Sequence, residues 1–532
     1  MAAEKVASTT NVEADSEKCN KARPSVEEGK ADTVAEDIVN AAEHHEYTDD
    51  QFRKLLWKID KVLLPVMWIA SGIQFADKVI ISTQATFGMP ADTGLVGQQY
   101  SWLTTIFYIA FLVSQAPANF FLQRVSLGPT VAICMFIWGI LVLCVAFAHN
   151  FTHLMVLRFL QGVAECTTYP ALLIITASFY TKREHAMRSV IWGSSNAGMD
   201  ILTSLINYGI GTEAQKHPGG LAPWRGISLF LGSLTIVFSF ATYYVFGTPR
   251  EARWLNTQEK RMVAARIVAC QTGTDAQKRP EWKWDQVRTA FKDPQTYFLF
   301  FLVIVNSIPN GGTTSFGNLV YVSFGFSALD TIVKGKIPQQ MLSITFFIIV
   351  GYVTLKKPNT RFYFMMAAVV PSFVGMLALA LLPNRGHLWT RWGMFLITIF
   401  GNVAGPLIWT LVPSNIAGRT KKSVTSTVLF IAYCVGNSVG AQVFRAKDAP
   451  LYIPAIVVCS TMYGLEFVIM ICWRMYYVLQ NRRRDKAVEE MGMTKEEAER
   501  QGRLNAESDM TDYENIHFRA VMHSWKPVAL YG

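Results

Sequence analysis

About twelve apolar stretches, each roughly 20 residues long, fill the chain between Val62 and Tyr476. They fall into two sets of six, separated by a basic, polar segment from Thr248 to Pro294. A helix needs about 20 apolar residues to cross a bilayer. Lipid offers no partner to a free peptide N–H, so only helices and closed barrels span it. Twelve spans arranged six plus six leave room for a substrate path between two halves. The expected fold is an all-α membrane protein with twelve transmembrane helices in two six-helix halves.

The spans are placed at 62–85, 98–121, 129–148, 153–178, 188–210 and 226–247, then at 295–318, 333–355, 362–382, 392–412, 424–445 and 453–476. This divides the chain into an acidic tail at 1–54 and a first half at 55–247. A central loop at 248–294, a second half at 295–477 and a C-terminal tail at 478–532 follow. The first 50 residues hold 13 acidic and 5 basic side chains and show no charged leader followed by an apolar run. Such a segment is expected to be disordered and not to act as a secretory signal. The central loop carries 10 basic and 6 acidic residues, and Glu251–Cys270 has helical spacing that suits either a solvated helix or one lying on the membrane surface.

With 51% hydrophobic and 17% charged residues, the composition excludes a soluble protein of this size. The net charge of +10 reads as topology and lipid contact, since Lys and Arg collect on the cytoplasmic side. No basic–aromatic pattern points to nucleic acid. Arg53, Lys54, Lys58 and Lys61 precede the first span and Arg482, Arg483, Arg484 and Lys486 follow the last, so both termini are expected in the cytoplasm. The bias is weaker in the second half, where Lys334, Lys336, Arg385 and Lys447 fall in outward segments. Cys134, Cys144, Cys166, Cys434, Cys459 and Cys472 lie in spans and match no metal or redox spacing, so they read as small apolar side chains. No cofactor is expected. A phosphate-binding loop, a His-rich cluster and an acyltransferase pattern are all missing, which excludes the membrane enzymes those motifs mark.

A charge at the centre of a bilayer is costly, so one that remains lines a cavity or pairs with another. The candidates are Asp77 and Lys78 in span 1, Arg158 and Glu165 in span 4, Asp200 in span 5 and Glu466 in span 12. Arg158 and Glu165 are seven residues apart, nearly two turns, and project from one face. A guanidinium grips a carboxylate with two hydrogen bonds, and a carboxylate in a dry cavity can take up a proton. Together they suit binding of an organic anion with a proton, and they equally suit a structural pair fastening span 4 to a neighbour. Lys78 and Asp77 point about 100° apart on a helix. That sets Lys78 toward substrate or snorkelling to headgroups, and Asp77 toward a neighbouring helix. Asn306, Asn310, Gly311 and Gly312 in span 7, and Asn402, Gly405, Pro406 and Pro413 in span 10, suit either interrupted helices lining a cavity or close helix packing.

Arg158-Phe-Leu-Gln-Gly162 resembles the span-4 motif of the major facilitator superfamily. A narrower resemblance runs from Leu55 to Asp485, to the fungal anion:cation symporters of the allantoate permease family. It is carried by Asp60-Lys-Val-Leu-Leu-Pro65, Ala76-Asp-Lys78, Leu95-Val-Gly-Gln-Gln-Tyr-Ser-Trp102 and Trp282-Lys-Trp-Asp-Gln286. Asn310-Gly-Gly-Thr-Thr-Ser-Phe-Gly317, Asn415-Ile-Ala-Gly-Arg-Thr-Lys-Lys422 and Phe430-Ile-Ala-Tyr-Cys-Val-Gly-Asn437 continue it in order. The resemblance implies the major facilitator fold and import of a small organic anion such as allantoate, nicotinate, ureidosuccinate or a small peptide, with protons. It also implies substrate binding by Lys78 and Arg158 and proton coupling by Glu165; Asn310 is expected to join them in substrate binding and Asp77 in proton coupling. A monomer in the plasma membrane suffices for this layout. An exporter of a carboxylate-bearing metabolite on the same fold is the alternative.

Overall fold

The computed structural model describes residues 48–122, 124–217, 219–270, 282–356, 360–383 and 387–494, and residues 497, 498, 501, 502, 505 and 509–519 beyond them. The acidic segment 1–47 lies outside the described residues. Among the described residues, twelve long helices carry the chain back and forth. They are α1 (Asp49–Thr86), α2 (Gln99–Leu122), α3 (Leu127–Val145), α4 (Phe151–Phe179), α5 (Ser195–Lys216) and α6 (Pro223–Val245). The second set is α7 (Pro294–Ser323), α8 (Ala328–Thr354), α9 (Arg361–Leu381), α10 (Leu388–Asn415), α11 (Arg419–Val443) and α12 (Ile453–Glu490).

Local chemistry fixes several starts. Asn150, in a glycosylation sequon by sequence, caps α4, its side chain accepting from the His153 amide at 2.9 Å. Asp293 caps α7 by accepting from the Gln295 amide at 2.9 Å, with Pro294 at the first helical position where its missing N–H costs nothing. Around the girth, Val237, Ile348 and Leu381 are largely exposed, as lipid-facing residues should be.

Ten of these helices are apolar enough to cross a bilayer by length and composition. The other two, α5 and α7, carry Asn, Gly, Ser and Thr along their length. Their positions explain this. The halves meet where α1 packs on α7, α2 on α11 and α5 on α8, so α5 and α7 each turn one face to the opposite half, while Leu202, Leu205 and Phe301 stay exposed on their outer faces.

Within each half, small residues let backbones approach. A Cβ on Gly440 of α11 would sit 2.1 Å from the Ile308 carbonyl oxygen of α7. Gly311 of α7 is pressed in the same way against Asn437 of α11. The glycines of span 7 therefore serve close packing, and α7 stays helical through Pro309. Span 10 does loosen: Ile397–Val403 winds as a 3₁₀ segment.

Contacts between the halves gather at the end remote from the termini. Tyr100 donates to the carbonyl oxygens of Ile81 at 3.2 Å and Ser315 at 2.6 Å, joining α1, α2 and α7. Asn318 donates to Thr83 at 2.9 Å, and Gln442 to Thr105 at 2.9 Å. Deeper in, Lys336 of α8 meets Asp200 of α5 at 2.7 Å, and Gln340 donates to the same carboxylate at 2.9 Å. Lys336, expected in an outward segment, is instead buried inside α8, because Asp200 supplies its counter-charge.

Among the described residues, the ion pairs at the terminal end do not bridge the two halves. Arg188 meets Asp60 at 2.9 Å, and Lys58 meets Glu259 at 2.7 Å. Helix Thr257–Cys270 of the central loop is not freely solvated, since Met262 and Val263 pack with Leu55 and Ile59.

The last span outruns its expected end at 476. α12 runs through the basic cluster to Glu490. The chain beyond it then returns: Asp512 accepts from Lys421 at 2.9 Å, and Asp293 accepts from the same ammonium at 2.6 Å. Lys421, Thr511 and Asn515 are fully buried there. Asp509 accepts from the Arg419 amide at 2.6 Å and from Lys283 at 2.8 Å. A segment expected as an ordinary tail is docked on the α10–α11 turn.

Candidate functional site

Six polar side chains from two helices meet inside the first half. Gln74, Asp77 and Lys78 lie within one turn of α1; Arg158, Gln161 and Glu165 recur on one face of α4. The helices are held so that charges pair crosswise. Lys78 Nζ lies 3.0 Å from Glu165 Oε1, and Arg158 Nη1 lies 3.7 Å from Asp77 Oδ2. Gln161 and Glu165 are completely buried, Asp77 and Arg158 nearly so, and the Lys78 side chain is 16% exposed.

α4 is shaped around this cluster. Gly162 lets it approach α2, since a Cβ there would lie 2.5 Å from the Phe107 carbonyl oxygen. The helix breaks at Cys166–Thr167, immediately after Glu165.

The second half approaches through aromatic rings. The Lys78 ammonium stands 5.1 Å from the Phe111 ring centre. Phe111 meets Phe430 of α11 at 5.5 Å, and Tyr108 meets Tyr433 at 6.0 Å. One turn along α11, Asn437 donates to the Tyr433 carbonyl at 2.8 Å and accepts from Asn310 of α7 at 2.9 Å. The five residues singled out in the sequence therefore fall into two groups. Asp77, Lys78, Arg158 and Glu165 form one cluster, and Asn310 belongs to an amide pair across the aromatic contact.

Both charge pairs link α1 to α4, so each fastens two helices as well as presenting charge. Formally the cluster is balanced, with two cations against two carboxylates. Its hydrogen bonding is incomplete at Gln161, whose two amide atoms lack a hydrogen-bond partner among the described residues. Buried polar atoms are nearly always paired in folded proteins. A buried, unpaired amide beside four charged groups suits a polar occupant better than a purely structural core.

Gln74 escaped the sequence reading, which looked for charge, and Gln161 entered it only within the Arg158–Gly162 motif, without a role of its own. The signal available was spacing: Gln161 lies three residues after Arg158 and four before Glu165, on the same face. The partners on α2 and α11 had no local signal, because only the tertiary fold brings them to Lys78.

A family model described as the Major Facilitator Superfamily matches residues 67–441. An uncharacterized transporter of Schizosaccharomyces pombe is 32% identical over 463 residues, covering 87% of each chain. The allantoate permease of Saccharomyces cerevisiae is 31% identical over 503 residues, covering 91% of this chain and 89% of its own. Among solved structures, a partially occluded inward-open xylose transporter of E. coli superposes with a TM-score of 0.59 at 13% identity, over 77% of this chain and 97% of its own.

Proposed function

The chain belongs to the major facilitator superfamily of secondary transporters, and from that premise we propose that it imports a small organic anion together with a proton. The cargo class is that of allantoate, nicotinate, ureidosuccinate or a small peptide. The similarity to the allantoate permease supports this class. The observation that carries the reading is the crosswise pairing of Lys78 with Glu165 and Arg158 with Asp77.

Charge balance couples the anion to the proton. A buried cluster of two cations and two carboxylates is neutral, and an anion entering alone would leave one uncompensated charge in a poorly solvated place. A proton on Glu165 removes that excess. It also frees Lys78, whose ammonium then turns to the incoming carboxylate, with Arg158 as the second grip. Asp77 holds Arg158 in place and is the second acidic group open to a proton. Anion and proton thus load together. Asn310 reaches the cargo from the second half, so that closing the halves around the site completes it.

Alternating access follows from rocking one half against the other around this site. The contacts at Tyr100, Asn318 and Gln442 close the end remote from the termini. With both termini in the cytoplasm, the conformation described is the one that delivers cargo inward. A single chain in the plasma membrane is sufficient.

The test is uptake of labelled allantoate, nicotinate and a dipeptide into cells expressing the chain, with and without a proton uncoupler. Accumulation of one of them that collapses with the uncoupler is expected. Surface expression without uptake of any would sink the import assignment and favour export from the same fold.

A further inference from the structure

Glu466 is a membrane-buried carboxyl apart from both the α1–α4 cluster and the Asp200–Lys336 pair. It lies on α12 in the other half, completely buried. Its Oε1 accepts from Asn306 Nδ2 of α7 at 2.9 Å, and its Oε2 has no hydrogen-bond partner. Among the described residues no Lys, Arg or His lies within ion-pair distance of it. The contrast with Glu165 is sharp, since Glu165 has an ammonium at 3.0 Å.

The surroundings are polar enough to hold an acid and too poor to hold an anion. On α12 itself the nearest titratable groups are the Tyr463 phenol, one turn back, and the Cys459 thiol, two turns back. α7 presents Asn306. α10 presents Gly405, whose Cβ position is 3.1 Å from Asn306 Oδ1, and Gly401, whose Cβ position is 2.8 Å from the Tyr463 ring. α9 presents Ser372 beside Gly401. None of these is a cation. One amide hydrogen bond does not offset the desolvation of an ionised carboxylate. The neutral acid, by contrast, has an O–H to donate and a carbonyl oxygen for Asn306.

The position connects this acid to moving parts. Glu466 lies where α7, α10 and α12 meet, beside the 3₁₀ segment Ile397–Val403 that loosens α10. Asn306 is one helical turn from Asn310, the residue paired with Asn437 beside the aromatic contact.

We propose that Glu466 is a further proton-binding residue of the transport cycle, neutral in the conformation described here and releasing its proton to water when α7, α10 and α12 re-pack. The proposal rests on the proton-coupled reading given above. It adds a site in the half that carries no part of the α1–α4 charge cluster.

The experiment uses the full chain reconstituted in liposomes, as wild type, Glu466→Gln, Asn306→Ala and Glu165→Gln. Infrared difference spectra across about pH 5 to 9 read the protonated-carboxyl band. Labelled allantoate is the flux probe, followed with an imposed proton gradient and in exchange against unlabelled allantoate. A band that Glu466→Gln abolishes is expected. Gradient-driven uptake should fall about tenfold or more in that variant, with exchange kept within about twofold. A band unchanged in Glu466→Gln, or gradient-driven uptake at the wild-type level, overturns the proposal. Should Glu466→Gln fail to fold, Asn306→Ala keeps the carboxyl but removes its donor. Loss of the band must then move to higher pH, and an unmoved titration overturns the assignment. A wild-type flux indifferent to the gradient sinks the proton-coupled reading, and with it the coupling role of Glu466. The infrared band still decides separately whether this residue holds a proton.

Discussion

The ammonium of Lys78 is engaged by Glu165 at 3.0 Å, across the gap between α1 and α4, with 16% of the lysine side chain still exposed. The cation that the proposed import cycle assigns to a substrate carboxylate is therefore already occupied by one. In that cycle the anion displaces Glu165, or Glu165 first loses its charge.

Replacing Glu165 by Gln should separate binding from coupling. The glutamine leaves Lys78 without a carboxylate partner at all times, so exchange of labelled for unlabelled anion persists. Concentrative uptake against a gradient should drop about tenfold or more, because no proton is carried. Parallel flux assays in liposomes check this. Equal loss of exchange and concentrative uptake would argue for a purely structural pair.

Arg158→Lys should cripple transport although the charge survives. A lysine ammonium cannot make the two-pronged grip on a carboxylate, and uptake should fall about tenfold or more. Normal uptake by a correctly inserted variant would remove Arg158 from the binding role.

Legibility in the sequence followed the physics of each signal. Apolar length and the dividing loop placed twelve spans, ten of which correspond to helices apolar enough to cross a bilayer on their own, and charges stranded in apolar segments pointed to Asp77, Lys78, Arg158 and Glu165, which the fold brings together. What remained hidden depended on distant partners. Lys336 looked like an end-of-span cation because its carboxylate is 136 positions away, on α5. Gln161 gave no alarm because an amide is cheap in a sequence and costly only once its burial is known.

Asp200→Asn should weaken the closure between halves. Breaking one side of a buried ion pair costs about 3–5 kcal/mol, since Lys336 is left buried and unpaired. The melting temperature of the purified protein should fall, and the exchanged pair Asp200→Lys with Lys336→Asp should recover part of it. A melting temperature unchanged in the single variant would show that Gln340 and the surrounding packing suffice.

The docked segment 509–519 should respond to pH in two opposite ways. Burial pushes the Asp512 carboxyl above its ordinary 3.8, against the pull of Lys421. Docking then takes up a proton, so this residue favours docking as pH falls toward 3.8 and disfavours it as pH rises. For Asp509 burial also acts upward, but Lys283, the Arg419 amide and Gln286 outweigh it and hold the carboxyl below 3.8. Its contribution is complete above 3.8 and lost as pH falls further. A nitroxide at Tyr513, which is 52% exposed, should be least mobile near pH 4 and freer on either side. Asp512→Asn should flatten the neutral arm and Asp509→Asn the acid arm. A label equally mobile throughout would refute the docking.

The buried Lys421 also ties the turn between α10 and α11 to the order of synthesis. One of its two carboxylates, Asp293, has already left the ribosome when the lysine emerges, whereas Asp512 follows 91 residues later. A nascent chain therefore inserts α11 and α12 with this cation only half compensated. A product released by a premature stop before codon 512 would keep it so, leaving a blemish at the membrane edge for quality-control machinery to find. Translation to that point is, in effect, what seals the second half.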